Sequence, residues 1–120
     1  MKKNQRILKN TEFSSIISKK HSQANAAFVL YTAKRAEDKA RVGISVGKKI
    51  GNAVIRNRTK RQVRALIDSV YTFDETFDSI VIVRPAFKKM DYEQRSELLS
   101  RLHDRAVQKN GGRAHEKKSV

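Results

Sequence analysis

The segment Gly47 to Arg64, GKKIGNAVIRNRTKRQVR, gathers side chains able to act on an anion. Lys48, Lys49, Arg56, Arg58, Lys60, Arg61 and Arg64 are donors suited to phosphate oxygens, and Asn52 stands where a helix would open with its first amides unpaired. Gly43, Gly47 and Gly51, four residues apart, would let the backbone approach a phosphate closely. From Arg41 to Arg64 there are eight basic residues and no acidic one. A merely solvated face mixes its signs, so the run reads as a docking surface for a polyanion. It is not a nucleotide-binding phosphate loop: the glycine spacing does not match and no Gly-Lys-Ser/Thr occurs.

No constellation for protein-borne catalysis accompanies it. The chain has no cysteine, which excludes thiol nucleophiles, redox chemistry, cysteine-held zinc and a disulfide scaffold. His21, His103 and His115 are scattered, with no partner at ligand spacing, and each reads as a surface residue. Glu93 and Glu97, one helical turn apart, lack a third ligand and read as a solvated pair. Any hydrolysis must therefore come from a partner.

The elements that would position the basic run follow from periodicity. Phe13, Ile16 and Ile17 share one side of a short first helix that Asn10 or Thr11 would cap. Ala27 to Ala33 alternates as a strand, with Phe28, Leu30 and Thr32 on one face and Val29, Tyr31 and Ala33 on the other. Arg41 to Val46 reads as a second strand, antiparallel to the first. Asn52 opens a long helix to about Val70, in which Ile55, Thr59, Val63, Leu66, Ile67 and Val70 share one face and Asn57, Arg58, Lys60, Arg61 and Arg64 the opposite one. Arg56 lies at the flank, where its stem can pack while its guanidinium reaches out. Ser79 to Val83, SIVIV, is a buried central strand. A last helix from Asp91 to about Gln108 turns Tyr92, Leu98, Leu99, Leu102 and Ala106 inward.

The 120 residues carry a formal net charge of +15, with 27 Lys and Arg against 12 Asp and Glu. That length suits one domain, expected over residues 1–110, followed by a basic disordered tail over 111–120. No apolar run approaches the length of a membrane span, and no secretory leader is recognisable, so a cytoplasmic protein is expected. Cellular polyanions are chiefly nucleic acids and anionic lipid surfaces. The stretch from Asp68 to Asp78 reverses the sign with four acidic residues and no base, so the charge is segregated into a basic face.

The run KKIGNAVIRNRTKR, with ANAAFVLYT (Ala24 to Thr32) and RVGISVGKK (Arg41 to Lys49), resembles the bacterial ribonuclease P protein family over Arg6 to about Val107. The resemblance implies an α+β fold: a single domain with a small four-stranded sheet, about three helices and a left-handed β-α-β crossover, as in ribosomal-protein-like α/β sandwiches. The fourth strand, invisible to periodicity, would lie around His21 to Asn25. It further implies a small basic protein without catalytic residues, partnered by a catalytic RNA that removes the 5′ leader of precursor tRNA, with Mg2+ held mainly by that RNA and no obligate protein partner. Lys48, Lys49, Asn52, Arg56, Asn57, Arg58, Lys60, Arg61 and Arg64 would meet RNA. Phe13, Ile17 and Tyr31 would line a leader groove, where an aromatic face can stack on any unpaired base; Ile17 stands where relatives often have a second aromatic. A ribosomal or chaperone-like RNA-binding protein is the alternative, sharing the charge but not requiring an aromatic groove.

Overall fold

Helix α2 (Ala53–Val70) begins where a side chain can replace the missing turn: Asn52 Oδ1 accepts the amide of Ile55 at 3.0 Å. Its apolar stripe buries Thr59, Val63, Leu66 and Ile67, and the stripe must be covered. The cover is a mixed four-stranded sheet. A computed structural model describes residues 1–110, in which α1 (Asn10–Ser18), β1 (Ser22–Ala24), β2 (Phe28–Lys34), β3 (Val42–Val46), α2, β4 (Phe77–Val83) and α3 (Tyr92–Lys109) follow in order. The tail expected over 111–120, with His115, lies outside the described residues.

The strand order is β1-β2-β4-β3. The apolar run of β4 is the centre of the sheet, antiparallel to β2 and parallel to β3, with α2 as the crossover between the two parallel strands. β3 runs opposite to β2, as expected, but the two are not neighbours: β4 lies between them. Alternation along a strand fixes its two faces and says nothing about its partner. The expected fourth strand is present as β1, in a short antiparallel ladder with β2.

The two sheet faces are unequal. Phe28, Leu30, Val42, Val46, Val81 and Val83 join the buried residues of α2 and α3 in the main core, where Phe28 and Phe87 meet edge to face at 5.7 Å. On the other face α1 covers only part of the sheet, over a small cluster of Ile7, Ile16, Ala33 and Ile80. The expected cap at Asn10 or Thr11 is not used; Lys9 holds the N-cap position, with no side-chain hydrogen bond.

Two expectations for α3 are overturned. Tyr92 is 59% exposed, because it occupies the first helical position, beyond the reach of the apolar layer. His103 is buried at 1% exposure among Leu99, Leu102 and Ala106. Its Nε2 lies 2.7 Å from Oε2 of the fully buried Glu75, and its ring stands edge-on to Tyr71 at 4.6 Å. The signal was in the sequence: position 103 falls within the leucine stripe of its own helix.

Candidate nucleic-acid interface

The outer face of α2 presents Asn57, Arg58 and Arg61 to solvent, and Lys48 and Lys49 are exposed on the 3-10 turn Lys48–Ile50 that precedes it. Lys60 and Arg64 are half-buried, on the side that turns toward the edge of β3. Arg56 is also half-buried, with Nε shielded and unpartnered, as a flank position requires. Asn52 is exposed but its side-chain oxygen is committed to the helix cap. Arg41, counted with the basic run, belongs elsewhere: it is 8% exposed and neutralised by Glu12 and Asp78.

Two of the three glycines have packing roles that their spacing did not suggest. A Cβ on Gly43 would lie 2.7 Å from Cζ of Phe13, so this position makes room for the α1 ring. Gly51 has φ +152°, a conformation side chains disfavour, and packs against Ile55 in the first turn of α2. Gly47 faces open space.

Phe13, Ile17 and Tyr31 come together on the partly covered sheet face, all half-buried and packed against the small cluster under α1. Register explains the arrangement. Tyr31 pairs with Ile80, which pairs with Gly43, so these three form one row across the sheet; Val29, Ile82 and Ser45 form the next, half-exposed row. Phe13 is thus neither a fully buried core residue nor a free ring: it rests on Gly43 and keeps part of its surface. A groove of about 510 Å³ joins it to the basic helix, lined by Phe13, Ser45, Ile44, Arg6, Lys60 and Arg64 among others. Tyr31 and Ile17 lie outside that groove's lining.

Beyond the ends of β3 and β4 the turn carrying Lys48 and Lys49 packs against a second 3-10 turn, Pro85–Lys89, which adds exposed Arg84, Lys88 and Lys89. Helical periodicity could not reveal these cations, because they are not on a helix face; their clustering needs the parallel pairing of β3 with β4, which ends both strands on the same side.

Of the acid groups that follow the basic run, Asp68 near the end of α2 pairs with the N-terminal ammonium at 2.8 Å. Glu75 and Asp78 are buried. Burial opposes the charge on Glu75, but hydrogen bonds from His103 and the Thr72 amide outweigh it and hold its carboxyl below the usual range. The bonds to Arg41 hold the Glu12 carboxyl low as well, whereas burial raises that of Asp78. Among the described residues no group of three or more His, Cys, Asp or Glu could hold a metal ion, and no helix is long and apolar enough to cross a membrane.

A small mixed sheet with a basic crossover helix and an aromatic face is a combination with known counterparts. The family model for ribonuclease P matches residues 1–107. The chain belongs to the ribonuclease P protein family. The ribonuclease P protein component of Mesoplasma florum is 42% identical over 104 residues, covering 85% of this chain and 94% of that one. The solved RNase P protein of Staphylococcus aureus superposes with a TM-score of 0.76 at 41% identity, over 85% of this chain and 94% of that one. A mutant of the S. aureus protein with defective mRNA degradation activity superposes at 0.78 with 43% identity, over 87% and 89%. The four-stranded sheet and three helices are thus the fold of this family, and the crossover helix α2 carries the Arg56-Asn57-Arg58 core through which the sequence resembles it.

Proposed function

We propose that this chain is the protein subunit of ribonuclease P, and that it acts by holding RNA on two adjoining surfaces. The exposed cations of α2 and the turn before it, Lys48, Lys49, Arg58 and Arg61, with Asn57, bind the catalytic RNA. Arg56, Lys60 and Arg64 support that contact from the flanks. The half-buried face of Phe13, Ile17 and Tyr31 receives the single-stranded 5′ leader of precursor tRNA. The observation that carries this reading is the groove shared by Phe13, Lys60 and Arg64: it makes a stacking surface continuous with a polycation. A ribosomal or chaperone-like protein would need the second without the first.

In this reading the protein is non-catalytic. Mg2+ ions that activate the attacking water are held mainly by the RNA subunit, and the protein screens phosphates around them, raising substrate affinity and lowering the magnesium requirement. Asn52 serves the interface through the helix it caps, which aims the first turn of α2.

The test is cleavage of precursor tRNA by a ribonuclease P RNA at low magnesium, with and without this protein. Stimulation only when both are present is the expected result. Cleavage of precursor by the RNA-free protein, resistant to ribonuclease pretreatment, would place catalysis in the chain itself. The same control, run on a messenger RNA, decides whether the mRNA degradation activity named for the S. aureus protein extends to this one.

A further inference from the structure

In a chain of net charge +15, three carboxylates gather around one buried guanidinium. Arg41 Nη2 donates to Glu12 Oε2 at 2.8 Å and Nη1 to Glu12 Oε1 at 3.3 Å, a two-pronged contact. Asp78 Oδ2 lies 3.5 Å from Nη2, and Glu37 Oε2 lies 3.8 Å from Nη1. Asp78 is itself fixed: its Oδ1 accepts the Arg41 amide at 2.9 Å and its Oδ2 the Ala36 amide at 3.3 Å. The guanidinium is therefore tied to the central strand on one side and reaches α1 on the other through Glu12.

Beyond this contact α1 is held by packing, with Phe13 and Ile17 half-buried against the sheet. It has nine residues, no side-chain cap and one buried side chain, Ile16. A helix so short is unstable unless tertiary contacts orient it. Glu12 directly precedes Phe13, and Ile17 follows one turn later. Sliding or rotation of α1 would lift both from Tyr31 and unseat the Phe13 ring from Gly43.

We infer that the Glu12–Arg41–Asp78 chain is a positioning device that sets the height and rotation of α1 over the sheet, and so determines how well the Phe13, Ile17 and Tyr31 face discriminates a precursor with a single-stranded leader from mature tRNA. This rests on the leader-groove reading above. None of the three touches the RNA in this role.

Electrostatics and geometry predict opposite signs. Glu12→Gln removes a negative charge beside a surface that binds a polyanion, which by charge alone tightens binding. Loss of positioning weakens it, and only for the substrate with a leader. The experiment measures affinity of the reconstituted holoenzyme for precursor and for mature tRNA with Glu12→Gln, Arg41→Lys and Tyr31→Ala. Expected for Glu12→Gln is a loss of about three- to tenfold on precursor, a partial loss of base stacking, with mature tRNA and assembly with the RNA subunit unchanged. Arg41→Lys keeps the charge but not the two-pronged geometry, and should shift precursor affinity in the same direction. Unchanged or tighter precursor binding by Glu12→Gln, with Tyr31→Ala still losing discrimination, overturns the positioning role and leaves the groove standing. If Tyr31→Ala and Glu12→Gln both leave discrimination intact, the groove reading falls and the positioning role with it. Should Arg41→Lys unfold, Glu12→Gln decides alone, since that carboxylate is 33% exposed and its removal still leaves Asp78 beside the buried guanidinium.

Discussion

At the scale of single residues, Tyr31 and Arg61 separate the two surfaces. Tyr31 offers a ring and no charge, half-buried in the row shared with Ile80 and Gly43. Tyr31→Ala removes a stacking face worth about 1–3 kcal/mol per base, so holoenzyme affinity for precursor should fall while affinity for mature tRNA and assembly with the RNA subunit hold. Arg61 is exposed on the outer face of α2, away from that row. Arg61→Ala should do the reverse and impair assembly first. Binding of precursor and mature tRNA by each variant, after circular dichroism confirms folding, checks both statements. Equal weakening of the two substrates by Tyr31→Ala would make this residue part of the core. Buried Glu75 supplies a different test. Because its folded pKa is lowered, the stability it contributes is present above the unfolded carboxylate range and is lost as pH falls through the folded value. The wild type should therefore exceed Glu75→Gln by about 1–2 kcal/mol near pH 7, with the difference closing in acid. Denaturant midpoints measured from neutral to acid pH will show whether the two curves converge.

Among the elements, α2 was legible almost to the residue, because its cap, its apolar stripe and its cations each mark the same boundaries. β4 was legible too, since a continuous apolar run bounded by Pro85 suits only a strand covered on both faces. What periodicity could not supply was partnership. β1 is three residues long, too short to show alternation, and β3 carries no sign that its neighbour lies beyond a whole helix. The site divides along the same line. The stripe on α2 could be read because its members share one element. The aromatic face needed α1, β2 and β3 in register, and the cations at 84, 88 and 89 needed two strand ends side by side. His103 was misplaced by its type, although its position in the stripe of α3 was correct for burial, and its partner Glu75 sits in a loop with no pattern to reveal it.

For the whole molecule, charge segregation makes a measurable statement. With Glu75 and Asp78 buried and no acid between Arg41 and Arg64, RNA affinity should fall steeply with salt through counterion release. Replacing Arg58 and Arg61 by Ala should flatten the slope by about one unit for each phosphate that is no longer neutralised, and an unchanged slope would move the interface elsewhere. The strand order carries a consequence for the chain as it is being made. β2 and β3 are complete by residue 46, yet neither pairs with the other; both wait for β4, which ends at Val83. Until that last strand slides between them, the strand pairing open to the emerging chain among the described residues is the short β1–β2 ladder and an isolated Arg6–Val42 bridge, while the polycationic helix is already out. Assembly is therefore a late, concerted closure with long-range pairing, slow to reach by comparison with a hairpin. A chain truncated after Tyr71 should show no cooperative unfolding transition, whereas one ending at Asn110 should. On a translating ribosome, the segment most attracted to RNA is thus exposed to it before there is any fold to aim it.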